Sequence, residues 1–202
     1  MKLYPTQAGQ EKYRVSFLGT IALVGAVLIY LYSTTWNPET INSFFTMFLI
    51  LISGVVLSSI MVGIQFVPFS FRSIVQDMLV TAGAFFSIYV VNSVVPLSVP
   101  DIGVNPLGNT GFVMLSGVAE EWFFRMFLCC WIYKFTRSVL IAVPISSFAW
   151  AVFHLSRYGA NLNIIGLVFL VGLPLGYLTL LFRSADGCTF GHMIVNALTG
   201  GG

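Results

Sequence analysis

Apolar residues run along the chain in seven blocks, residues 15–32, 43–67, 74–95, 112–133, 139–154, 162–182 and 188–199. The breaks between them, STTWNPET, VPFSFRS, VPLSVPDIGVNPLGN, KFTRS, SRYGAN and RSADG, carry the polar, Pro and Gly residues that interrupt helices. The first six blocks reach, or nearly reach, the roughly 20 residues a helix needs to cross hydrocarbon. The seventh does not: its 12 residues make about 18 Å of helix, so it spans partly or dips into the bundle. The pattern predicts an all-α polytopic membrane protein, a bundle of about seven transmembrane or partly spanning helices. No internal repeat or linker divides it, so residues 1–202 read as a single integral membrane domain.

Composition supports this reading. Of 202 residues 57% are hydrophobic and only 8% charged, about a third of the charged fraction of soluble domains. A net charge of +2 with scattered cations excludes a nucleic-acid surface. The first block, Val15 to Tyr32, is too long for a signal-peptide core and has no small-residue cleavage site after it, so it reads as a retained anchor. With the N-terminus inside, Lys2, Lys12, Arg14, Arg72, Lys134, Arg137 and Arg183 fall on the inner side and Arg157 alone on the outer. Cys129, Cys130 and Cys188 form no disulfide or metal framework and read as buried free thiols.

The remaining charges lie within the apolar blocks. An ionisable group in a bilayer costs roughly 2.5 to 3.5 kcal/mol on insertion scales, so it faces the interior and has a partner or a task. Asp77, near the start of the third block, fits a structural place at a helix start. Glu120, Glu121 and Arg125, in SGVAEEWFFRMF, lie well inside the fourth. Helical spacing pairs Glu121 with Arg125 at i, i+4 and turns Glu120 about 100° away from them. The two histidines also lie in apolar runs: His154 closes SFAWAVFHL, one turn after Trp150, and His192 opens GHMIVNAL, one turn before Asn196. Glu120, the histidines and Asn196 together supply a base, a second proton-handling group and oxyanion donors, the requirements of amide hydrolysis. No serine or cysteine is placed as nucleophile beside either histidine, so water takes that role and no cofactor is called for.

These residues carry a resemblance. EEWFFR resembles the EExxxR signature of the CAAX protease and bacteriocin-processing family of intramembrane endopeptidases, which includes the type II prenyl-protein endopeptidases. WAVFH is similar to its FxxxH motif, with Trp150 in place of Phe, and HMIVN to its HxxxN motif; FLVGLPLGYL resembles the helix preceding it. The resemblance covers roughly residues 112–199, the implied catalytic core. It implies that Glu120 and His154 activate water, that His192 and Asn196 stabilise the oxyanion, and that Glu121 and Arg125 shape the site. Trp150 keeps an aromatic at its position, so the departure bears on pocket shape more than on chemistry.

Two further readings compete. Glu120, His154 and His192 are the donor types of a His₂Glu zinc protease, although no HExxH helix is present. A non-catalytic membrane receptor, chaperone or transporter with a buried polar cluster is the other. Geometry also sets a difficulty, because simple alternation leaves His154 and His192 at depths about 15 Å apart. Either RSADGCTFG plunges into the bundle, or Gly172, Pro174 and Gly176 kink the sixth segment; close helix packing is the other use of those small residues. For substrates the resemblance allows prenylated CAAX tails, bacteriocin or signal precursors and C-terminal sorting tails. The compact bundle favours a prokaryotic enzyme of the cytoplasmic membrane, N-terminus cytoplasmic, processing a membrane-associated protein or peptide.

Overall fold

The computed structural model describes residues 12–33, 41–67, 69–94 and 106–198; Lys2, the breaks at 34–40 and 95–105 and the block ends at 95 and 199 lie outside them. Seven helical rods occupy the described residues. They are α1 (Phe17–Ser33), α2 (Ile41–Leu57), α3 (Phe71–Val94), α4 (Pro106–Glu120) running on into α5 (Cys130–Thr136), α6 (Val139–Phe153), α8 (Leu162–Phe182) and α9 (Asp186–Leu198). A single turn, α7 (Leu155–Tyr158), links α6 to α8. By length and composition Ile41–Val62, Phe71–Val90 and Leu162–Phe182 are long and apolar enough to cross a membrane, and Phe17–Tyr32 and Val139–Phe153 are shorter apolar helices. Large apolar side chains such as Leu140 (87% exposed) and Leu162 (79% exposed) cover the outside, as a lipid-facing bundle requires.

Two elements depart from the expected run of α-helices. The block 43–67 does not stay helical: α2 ends in a π turn, Ser58–Val62, and Gly63, at φ +88°, donates its N–H back to the Ser58 carbonyl. Such a φ suits a residue without a Cβ. The chain then forms a strand, β2 (Ile64–Phe66), parallel to β1 (Tyr13–Val15) with Arg14 opposite Gln65. The fourth block is also not a uniform α-helix, because Glu121–Cys129 form a π-helix between α4 and α5. Its i→i+5 bonding is visible at Cys130, whose N–H reaches the Arg125 carbonyl. Here α2 comes so close that a Cβ on Gly54 would sit 2.9 Å from the backbone of Trp122 and Phe123.

The α4–π–α5 rod is central, with an apolar cluster on each side. One, including Leu51, Val113, Val118, Trp122 and Met126, joins it to α1 and α2. The other, including Val80, Ala84, Trp150, Leu175 and Val195, joins it to α3, α6, α8 and α9. The charged residues of the fourth block therefore lie mid-bundle.

The basic residues gather at one end of the bundle. Tyr13 N–H bonds to the Gly63 carbonyl, Arg14 N–H to the Arg183 carbonyl and Lys134 Nζ to the Met61 carbonyl, which brings both strands, the end of α2 and the α8–α9 turn together. Arg72 opens α3 and Arg137 closes the α5–α6 turn at this end, whereas Arg157 lies in α7 at the other. Asp77 lies six residues into α3 and not at the helix start expected for it; its partner is Arg14, whose Nη2 is 3.0 Å from the carboxylate. Asp186 opens α9 beside it and accepts the Ser16 N–H at 2.6 Å.

The level of the histidines follows from RSADGCTFG entering the bundle, where Ser184, Ala185 and Asp186 are each no more than 2% exposed. Helix α8 continues through Pro174, and Gly172 and Gly176 lie against Ser147 and Val143 of α6, where a Cβ would meet side-chain carbons at 2.8 and 3.2 Å. Those small residues serve close packing. The depth is set by where α9 begins. Gly187 lies against Asp77 and Val80, and Gly191 against Thr81, Ala84 and Phe85, so α9 starts about 9 to 13 Å along α3.

Candidate active site

Helix α6 delivers Trp150 and His154 to the central rod. His154 is the C-cap of α6, and its Nδ1 lies 2.9 Å from the Trp150 carbonyl, a helix-end acceptor. A carbonyl only accepts, so this bond places the hydrogen on Nδ1 and leaves Nε2 as the lone-pair nitrogen of the neutral ring. That nitrogen lies 3.7 Å from Glu120 Oε2. The same carboxylate oxygen accepts the Trp150 indole N–H at 2.7 Å. The Trp150 N–H bonds the Glu120 carboxylate, which a phenyl ring at that position cannot do.

The neighbouring glutamates, at the junction of α4 and the π-helix, face different helices. Glu120 meets α6, whereas Glu121 turns to α9, its Oε1 3.0 Å from His192 Nδ1. The other oxygen of Glu121 lies 3.5 Å from Arg125 Nε, so the i, i+4 pair forms as expected. The pairing with His192 had no signal in the spacing of a single helix. Glu121 and Arg125 are both fully buried. Among the described residues the Arg125 nitrogens have no hydrogen-bond partner. Its guanidinium lies instead over the Trp150 ring, 3.9 Å from the centroid. A face-on cation gains from the ring quadrupole, more so where water is excluded.

Trp150 is the hub of the arrangement. Its N–H holds Glu120, its face holds Arg125, and its edges meet His154 and His192 at centroid distances of 5.0 and 5.8 Å, both near perpendicular. Glu120, Glu121, Arg125, Trp150, His154 and His192 are thus brought together, and the two histidines share one level. Asn196, one turn beyond His192, lies against α4 and donates from Nδ2 to the Val113 carbonyl at 2.9 Å. No group of three His, Cys, Asp or Glu side chains that could hold a metal ion is found among the described residues. Cys129, Cys130 and Cys188 are free and buried, as read from the sequence.

Residues 105–198 match the family model described as Type II CAAX prenyl endopeptidase Rce1-like, in agreement with the resemblance carried by the three motifs. All seven residues discussed above lie within the match. A search of curated proteins and a search of solved structures each gave no match.

Proposed function

We propose, from the premise that residues 105–198 are an Rce1-like segment of a CAAX-type intramembrane protease, that this chain is a glutamate-type endopeptidase with water as nucleophile. The catalytic core is residues 112–199 within a single membrane domain. The observation that carries the reading is the convergence of two acceptors from separate helices, Glu120 Oε2 and His154 Nε2, 3.7 Å apart. A water between them donates one hydrogen to each and presents its oxygen to a scissile carbonyl. On attack its proton passes to this pair, which returns it to the leaving amine. The carbonyl oxygen gains negative charge and is met by His192 and Asn196. The Glu121 carboxylate, its Oε1 3.0 Å from His192 Nδ1, fixes the orientation of the His192 ring. Arg125 and Trp150 keep both halves in register.

The substrate is a membrane-associated protein or peptide cut near a terminal or sorting segment. The basic end of the bundle lies in the cytoplasm of a prokaryotic cell, following the inner bias of Lys and Arg. Candidate substrates come from mass spectrometry of membrane proteins whose length changes when this protein is deleted. Purified protein in detergent with a labelled peptide from such a terminus tests the chemistry: Glu120→Ala should abolish cleavage and a chelator should leave it intact. Cleavage that survives Glu120→Ala would sink the assignment, and loss on chelation would return the zinc reading.

A further inference from the structure

We infer that the site opens on the membrane face opposite the basic end, so that the enzyme takes segments already translocated out of the cytoplasm. This rests on the endopeptidase reading for its substrate clause, but the direction of opening stands on geometry alone. Helix α6 leaves the basic end at Val139, just after Arg137, and reaches His154 after 15 residues, about 22 Å. The register of Gly191 on α3 sets His192 level with Phe85, 14 residues beyond Phe71, about 21 Å from the same end. The two counts agree. Helix α3 has 24 residues, about 36 Å, and a hydrocarbon core is about 30 Å thick, so the histidines lie beyond its middle on the non-basic side.

The side toward the basic end is closed. Cys129 of the π-helix, Thr179 of α8, and Cys188 and Thr189 of α9 are fully buried beneath the site. Helices α8 and α9 are tied together there, with Thr179 Oγ1 bonded to Cys188 Sγ and Cys188 Sγ to the Leu175 carbonyl. Further down, Ser16, Asp77 and Asp186 close the base, each no more than 2% exposed. On the opposite side His154 ends its helix, and the following Leu155, Ser156 and Gly159 are exposed. Within the site the histidine side chains are each 9% exposed and Asn196, one turn further along α9, is partly exposed, while Glu121 and Arg125 are fully covered. Access therefore comes from the α7 end. With cations biased to the cytoplasm, that end is extracytoplasmic.

Single thiols read this directly, since all three native cysteines are buried. Ser156→Cys marks the α7 end, Thr136→Cys the basic end, and His154→Cys the site. The probe is a quaternary-ammonium methanethiosulfonate, which does not cross membranes, applied to right-side-out and inverted vesicles of the cytoplasmic membrane. Labelling after denaturation confirms that each thiol is present. The expected result is reaction of Ser156→Cys and His154→Cys in right-side-out vesicles only, and of Thr136→Cys in inverted vesicles only. Reaction of His154→Cys from the Thr136 face, or from neither face in the native protein, overturns the inference. So does inverted labelling of the two loop markers. Labelling does not depend on cleavage, and cleavage in detergent does not depend on sidedness, so failure here is distinct from failure of the endopeptidase reading.

Discussion

Replacing Gly191 by alanine should disable the site from the residue next to His192 without altering any charged group. A Cβ at Gly191 would lie 2.6 Å from the Ala84 Cβ and 2.9 Å from both the Phe85 nitrogen and the Thr81 oxygen of α3. Ordinary contact begins at 3.4 Å, and backbone atoms of a helix do not give as a flexible side chain does. Helix α9 must therefore move away by about 1 Å, since packed interiors absorb so large an overlap only by displacement. His192 moves with it, and its 3.0 Å bond to Glu121 is the one most directly stretched. A misplacement of about 1 Å costs on the order of 100-fold in rate, equivalent to about 2.7 kcal/mol. Overpacking should also lower stability by roughly 1 to 3 kcal/mol. The assay is kcat and KM on a labelled peptide in detergent, with thermal unfolding measured on the same samples. Gly166→Ala, with nothing within 4 Å of its added methyl, is the control and should leave both unchanged. Adding Ala84→Gly to Gly191→Ala should restore part of the rate by removing the nearest contact. A Gly191→Ala protein with kcat within about threefold of wild type, far short of the 100-fold loss, would show that this contact does not set the level of His192.

Three other outcomes follow from buried contacts. Trp150→Phe keeps the aromatic face but removes the 2.7 Å bond to Glu120; bonds to charged groups are worth about 1.5 to 3 kcal/mol, and thermal unfolding should show a loss in that range. Arg14→Ala leaves the Asp77 carboxylate, 1% exposed, without its 3.0 Å ion-pair partner. That should cost up to about 3 kcal/mol, most of it recovered by adding Asp77→Asn, and chemical denaturation in detergent measures both. Cys129, Cys130 and Cys188 should all resist N-ethylmaleimide in the folded protein, since each is fully buried, and intact-protein mass spectrometry would reveal any adduct.

The bundle was legible in the sequence because lipid imposes long apolar runs, and six of the seven rods begin within four residues of their expected starts. The fourth starts earlier, at Pro106, because its polar first turns are helical without being apolar. Helical spacing also found the Glu121–Arg125 pair, which lies on one turn of one element. What depends on contacts between elements was not legible. The assignment of Glu121 to His192 joins residues 71 positions apart, and no periodicity encodes it. The π-helix was hidden for a related reason: a sequence of large apolar residues fits either winding, and packing against α2 at Gly54 is a tertiary matter. Simple alternation puts the turn before α9 at the membrane surface, and only the alternative in which RSADGCTFG enters the bundle gives the depth seen, with Ala185 and Asp186 fully buried. In the fold, Asp186 starts α9 beside Asp77, well along α3, where Ser16 supplies a donor to its carboxylate.

The contact between Ser16 and Asp186 also imposes an order of assembly. The two residues are 170 positions apart, so the bond cannot form until the ribosome has delivered the whole stretch that ends in α9. The partner residues of strand β1 in β2 are complete once residue 66 has been made, four rods before α9. During that interval Asp77 has Arg14 within reach, while the seat for Asp186 beside Gly19 stays vacant. Residues 13–16 are thus fully locked only after α9 is made, and a chain that stops short of α9 carries an unfilled polar notch at its basic end. That notch distinguishes an unfinished product from a finished one.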